Sequence, residues 1–168
     1  MSDNSRIPKK RYSPDTRVRI CKIGDFLDVL DHLEFCFENY YKSVRDKSSD
    51  NSTKLLSYYL GRHYRRFILE LNRYGTTRKQ KIRERKMQQT ISILPCEWLI
   101  LLNTPPHRIT GRNLLETAIT YNKKLTAVYR DLLSQKLHGD VIALIQGLDK
   151  FERNEADSFE KMLSMNYF

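Results

Sequence analysis

From Phe26 to Leu71 the apolar residues recur at intervals of three and four, and that rhythm narrows the fold more than any other feature of the chain. Phe26, Leu27, Leu30, Leu33, Phe37, Tyr41 and Val44 fall on one face of a helix; the strict alternation of a half-buried strand is missing. A polar break over 47–53 follows, with Ser52 or Thr53 the expected N-cap of what comes next. The rhythm then restarts with Leu55, Leu56, Tyr59, Leu60, His63, Phe67 and Leu71. Two amphipathic helices around a short polar turn make an antiparallel helical hairpin.

A second hairpin lies downstream. At an offset of 88 positions Tyr41 falls on Tyr129, Lys42 on Arg130, Leu56 on Leu144 and Leu60 on Leu148. Identities this few leave both a true internal repeat and a chance match open. Asn113 is the expected N-cap of the third helix, with Glu116 as its capping-box carboxylate. The stripe of that helix is Leu114, Ala118, Tyr121, Leu125, Val128, Tyr129 and Leu132. After the turn His138-Gly139-Asp140, with Asp140 as cap, the last helix buries Val141, Leu144, Ile145, Leu148, Phe151, Phe159 and Leu163.

The expected organisation is all-α: a basic, flexible arm over 1–21, then a four-helix bundle over 22–168. The bundle divides into a hairpin over 23–73, a long crossover over 74–112 and a hairpin over 113–163. The first helix is expected from about Ile23 to Asp46 and the second as one helix to about Arg73, before Gly75. Within the crossover, Gln80 to Gln89 reads as an additional, highly charged helix. Pro95, Pro105 and Pro106 break up the apolar runs Ile91–Leu94 and Trp98–Leu102. Trp98 with Leu99 to Leu102 is a candidate partner-facing patch if the crossover leaves it exposed.

Several function classes drop out. No window approaches the roughly eighteen apolar residues of a membrane span, and 1–10 lacks the apolar core of a secretory signal. Cys21, Cys36 and Cys96 are odd in number and widely spaced, indicating neither a disulfide framework nor a zinc knuckle. A cytoplasmic location is expected. Phosphate loops, dinucleotide fingerprints, nucleophile elbows and HExxH are all absent from the sequence. Cys36 reads as a buried thiol, and His32, His107 and His138 as isolated, exposed side chains.

Polar residues on the apolar stripes are the candidates for chemistry, because a bundle builds its sites from inward-facing side chains. Glu34 lies seven residues after Leu27 and seven before Tyr41; His63 lies between Leu60 and Phe67. Asn122 follows Ala118 by four, and Glu155 precedes Phe159 by four with Glu152 one turn earlier. These five are expected to converge on one layer.

The segments LEFCFENYYKS and LLSYYLGRHYRRF, set in two hairpins with one long crossover, resemble the ferritin-like superfamily, including its rubrerythrin-like members. The resemblance covers 26–71 and 113–163 and implies a ferritin-like bundle with metal ligands on the inward faces. The ligand pattern departs from the family's. Where the family carries Glu-x-x-His, the second helix has Leu60-x-x-His63; Asn122 stands where a ligating Glu is expected, and the fourth helix offers Glu152-x-x-Glu155 without a histidine. A di-iron centre takes about four carboxylates and two imidazoles, so such chemistry is disfavoured. The metal candidates are Glu34, His63, Glu152 and Glu155. A single iron or zinc on Glu34, His63 and Glu155 is the alternative to a self-satisfied hydrogen-bond network without cofactor.

The net charge of +10 supplies the other lead. Residues 1–22 hold seven Lys/Arg against two Asp, and 73–86 hold seven against one Glu, leaving the rest near neutral. Lys9, Lys10, Arg11, Arg78, Lys79, Lys81, Arg83, Arg85 and Lys86 are therefore candidate contacts to nucleic acid or another polyanion, with Tyr12 and Tyr74 available to stack. Arg62, Arg65 and Arg66 add charge to the outer face of the second helix. The preferred expectation is a noncatalytic or metal-degenerate bundle acting as an interaction or scaffold protein, with a homodimer or protein partner. A metal-dependent oxidoreductase and a charge-driven nucleic-acid binder are the alternatives.

Overall fold

The computed structural model describes residues 10–165, and the chain within them is mostly helical. A short strand β1 (Val18–Lys22) leads directly into α1 (Ile23–Lys47). Two helices follow, α2 (Asn51–Gly61) and α3 (His63–Asn72), and then α4 (Thr76–Glu84) and strand β2 (Lys86–Ile93). The single turn α5 (Cys96–Leu99) and a 3-10 turn (Ile100–Leu102) precede the long helices α6 (Gly111–Leu133) and α7 (Gly139–Ser164).

The helices that line the core form where the apolar rhythm places them, and α1, α6 and α7 bury the expected stripes. Phe26, Leu30, Leu33, Phe37 and Val44 of α1 meet Leu56, Leu60 and Phe67 of α2 and α3, and Leu114, Leu125, Tyr129, Leu144, Ile145, Leu148 and Phe159 of the second pair. Leu55 departs from its expected place in the stripe and is exposed, whereas Phe151 and Leu163 are half-buried.

Three expectations for the local structure need correction. The second helix is broken: Arg62 caps α2 and opens α3, and its N–H reaches back only to Tyr59, a tighter 3-10 bond. Gly61, a poor helix former, immediately precedes this step. The charged helix of the crossover runs over Thr76–Glu84, starting and ending earlier than the expected Gln80 to Gln89, because residues 86–93 are extended. The end of the arm is ordered. Val18, Arg19 and Ile20 pair antiparallel with Ile93, Ser92 and Ile91, and a register irregularity separates them from the Lys22–Lys86 pair.

The caps also differ. Asp50 caps α2 through Thr53 N–H at 2.7 Å, and Thr110 caps α6 through Asn113 N–H at 3.2 Å. His138 is the N-cap of α7, with its Nδ1 2.5 Å from Asp140 Oδ1. Glu116, expected in a capping box, pairs with Arg112 instead.

The crossover is fastened to the bundle along its length. Arg83 donates to Asp28 of α1 at 2.7 Å, Tyr74 donates to the Ala143 carbonyl of α7 at 3.0 Å, and Tyr40 donates to the Thr104 carbonyl at 2.7 Å. At the start of α1 the backbone of α4 approaches so closely that a Cβ on Gly24 would lie 2.9 Å from the Arg83 carbonyl oxygen. Trp98, expected in a partner-facing patch, is buried and packs edge-on against Tyr121. Leu99, Leu101 and Leu102 are half-buried, leaving Ile100 as the exposed member. Among the described residues, no helix is long and apolar enough to cross a membrane.

Candidate functional site

The polar layer of the core is built around His63, the first residue of α3. Its ring is held between two carboxylates: Nδ1 lies 2.9 Å from Glu34 Oε2 of α1, and Nε2 lies 3.1 Å from Glu152 Oε2 of α7. Glu34 and Glu152 are 2% and 0% exposed, so the three groups interact out of water. Tyr121 of α6 donates to the other oxygen of Glu34 at 2.7 Å. Asn122, its neighbour, donates through Nδ2 to the Glu152 main-chain carbonyl at 3.2 Å. Phe151 lies against the imidazole with ring centroids 5.0 Å apart, while Phe37 and Tyr121 stack at 4.1 Å beside the layer.

Charge follows from this geometry. Burial alone would drive His63 towards its neutral form, but the charges and hydrogen bonds of Glu34 and Glu152 outweigh it and hold the imidazole well above its ordinary value. Both ring nitrogens then donate. Burial, helped by the charges of Glu34 and Glu155, raises Glu152 to about 7 although His63 pulls the other way. The phenols of Tyr121 and Tyr129 are raised by burial and further by Glu34 and Glu152, so both stay protonated. Two polar atoms of this layer have no hydrogen-bond partner among the described residues: Glu152 Oε1 and the Tyr129 hydroxyl.

Glu34, His63 and Glu152 each offer a ligand atom within 4.8 Å of the others, so this buried group could hold a metal ion. Glu155, expected as a ligand with Glu34 and His63, is taken elsewhere. Arg66 Nη2 donates to its Oε2 at 2.6 Å, and the same guanidinium lies over the Tyr59 ring. Glu152 fills the role assigned to Glu155. Four of the five stripe residues therefore meet in one layer, and Tyr121 joins them. Tyr121 was read as an ordinary stripe residue; its signal was that a buried phenol needs a hydrogen-bond partner.

The ligand arithmetic does not fit a dinuclear centre: one imidazole and two carboxylates stand where about four carboxylates and two imidazoles are needed. Space is equally restrictive. The cavity bounded by Glu34, Phe37, Tyr41, Leu60, His63, Ala118, Tyr121, Asn122 and Phe159 holds about 10 Å³. That is at the lower edge of the ~10–15 Å³ that one water requires.

The basic candidates are distributed over several environments. Lys9 lies outside the described residues. Lys10 and Arg11 are exposed, and Lys10 sits over the Tyr12 ring. Arg78 lies over Tyr74, Lys79 reaches Asn72 at 3.5 Å, Arg83 is paired with Asp28 and Arg85 lies 3.9 Å from Asp140. Lys81 and Lys86 are exposed. Tyr12 and Tyr74, expected to stack on bases, are half-buried against the core. His32, expected to be exposed, is buried, with Tyr12 edge-on to its ring and Cys36 Sγ 3.9 Å from Nε2. His107 and His138 are exposed as expected.

Compared with protein-family models, curated proteins and solved structures, the chain matches none of them.

Proposed function

We propose that this chain is a noncatalytic, metal-degenerate bundle of ferritin-like layout that acts as an interaction or scaffold protein. The observation that carries the reading is the saturation of His63, whose two ring nitrogens are each spent on a different carboxylate. A ligating imidazole must aim one lone pair at the metal and uses its other nitrogen to contact a second-shell acceptor. Here both positions are filled by a proton between charged partners, and a buried, satisfied network of this kind serves to specify one core arrangement. The roughly 10 Å³ of enclosed space leaves no seat for a substrate beside the cluster. The ferritin-like layout is supported by the order of the long elements: α1 with α2 and α3, a fastened crossover, then α6 with α7. An interaction role is supported by Leu55, Tyr58 and Leu69, which are 70%, 53% and 65% exposed along the outer side of α2 and α3.

A second reading has its own observation. Glu152 Oε1 and the Tyr129 hydroxyl, without partners among the described residues, are oxygens that a single bound cation would satisfy. Glu34, His63 and Glu152 would hold it, giving the site a Lewis acid among buried phenols.

Metal content separates the two. Protein purified without chelator, then loaded anaerobically with ferrous iron or with zinc and desalted, is expected to retain no stoichiometric metal. Light scattering is expected to show a mass that rises with concentration. Retention of one ion per chain that His63→Ala abolishes would overturn the first reading in favour of the second.

A further inference from the structure

A groove on the outside of the bundle, between α1 and the α2–α3 junction, gathers four cations that the buried layer does not use. Lys42 and Arg45 come from α1, Arg62 from the break between α2 and α3, and Arg65 from the first turn of α3. They line a cavity of about 50 Å³ together with Tyr58 and the carboxylate of Glu38. Glu38 and Arg65 have partners of their own, and Arg45 is shared with Asp46 at 3.2 Å. The side chains of Lys42 and Arg62 make no ion pair or hydrogen bond among the described residues. Two carboxylates, Glu38 in the lining and Asp46 on Arg45, against four bases leave the groove net cationic, and its concavity concentrates that field.

We propose that this groove binds a phosphate group. Its size suits one tetrahedral oxyanion, far below the ~300 Å³ at which drug-sized sites begin. Guanidinium groups provide the forked donors that phosphate geometry favours, and the lysine adds a point charge. Glu38, only 4% exposed, supplies selectivity. A carboxylate has about four lone-pair sites, so one that already has a partner still accepts a further bond. Phosphate carrying a proton on one oxygen donates to such an acceptor; sulfate has no proton to give and meets only repulsion. The break in the helix has a use here, because it sets Arg62 at the end of α2 and Arg65 on the next helix over one groove. Neither the lineage of the bundle nor the state of His63 enters this recognition.

The test is titration calorimetry of the full chain with inorganic phosphate and with sulfate at low ionic strength, at about pH 6, where a phosphate monoester is partly protonated. Saturable one-to-one phosphate binding is expected, with sulfate weaker. Charge-assisted bonds of this kind predict that Lys42→Gln/Arg62→Gln weakens phosphate at least about tenfold. Arg78→Gln/Lys81→Gln on the crossover should leave it unchanged, and Glu38→Gln should erase the preference over sulfate. Flotation with phosphatidylcholine vesicles containing phosphatidic acid, abolished by Lys42→Gln/Arg62→Gln, would make the source a lipid headgroup. Phosphate binding without flotation would make it a soluble phosphate. Absence of saturable phosphate binding, or equal loss in the crossover variant, would overturn the proposal.

Discussion

Replacing Glu152 by Gln isolates the buried proton of the polar layer, because the amide keeps the shape and removes the titration. In the folded chain this carboxyl lies at about 7, against 4.5 for its ordinary value. Between those two points the folded state holds a proton that the unfolded state has released. Stability associated with Glu152 is therefore fully present below 4.5 and is lost as pH rises towards 7. At about 1.4 kcal/mol for each pH unit, the whole loss is about 3 kcal/mol, undiminished by solvent because the group is 0% exposed. His63 has the same sign: its raised value contributes stability that is complete below its ordinary 6.5 and disappears only above its folded value. The assay is urea unfolding of both proteins at intervals from pH 4.5 to 7.5. Subtracting the curves cancels the titrating groups that Glu152 does not touch; His63, which Glu152 helps to hold raised, enters the difference only above its ordinary 6.5. The advantage of Glu152→Gln over the parent is expected to grow from near zero at pH 4.5 to about 3 kcal/mol at pH 7.5. A difference that stays flat across that range would refute the reasoning, since Glu152 would then titrate alike in both states.

Four further substitutions test the same structure. His63→Ala leaves Glu34 and Glu152 buried without the cation between them, and thermal and urea unfolding at pH 7 should show a loss of about 3–5 kcal/mol. Tyr121→Phe removes the donor at 2.7 Å from Glu34 and should cost about 1–3 kcal/mol by the same measurement. Gly24→Ala forces a methyl group onto the Arg83 carbonyl and should destabilise by about 1–3 kcal/mol. Gly139→Ala, with open space around it, should be neutral or stabilising by up to about 1 kcal/mol; equal effects at the two glycines would discredit the close approach of α4 to α1.

Helical periodicity made the inward faces legible, and with them Glu34, His63, Asn122 and Glu152, because three- and four-residue spacing reports directly on which side of a helix is buried. Periodicity does not report how far a helix is rotated within its neighbours. Glu152 and Glu155 are one turn apart and equally placed in the sequence; Arg66 on α3 decides between them by engaging Glu155. The β1–β2 ribbon was hidden for a different reason. Val18 and Ile20 alternate with polar residues, as do Ile91 and Ile93, but each run is too short to declare itself. Their pairing is settled by contacts between segments far apart in sequence. The step at Arg62 had a local hint in Gly61, which the continuity of the apolar rhythm across it concealed.

The clamp on His63 also imposes an order of arrival. A chain made from its N-terminus can bring Glu34 against His63 as soon as α1 and α3 meet, well before α7 exists. Without α7 the second ring nitrogen has no carboxylate to meet, and the layer holds only one of its two acids. The last helix therefore does more than cover an apolar face: its arrival dehydrates an ion pair, turning a soft hairpin contact into a fixed one. Assembly of the core and its electrostatic closure are the same event.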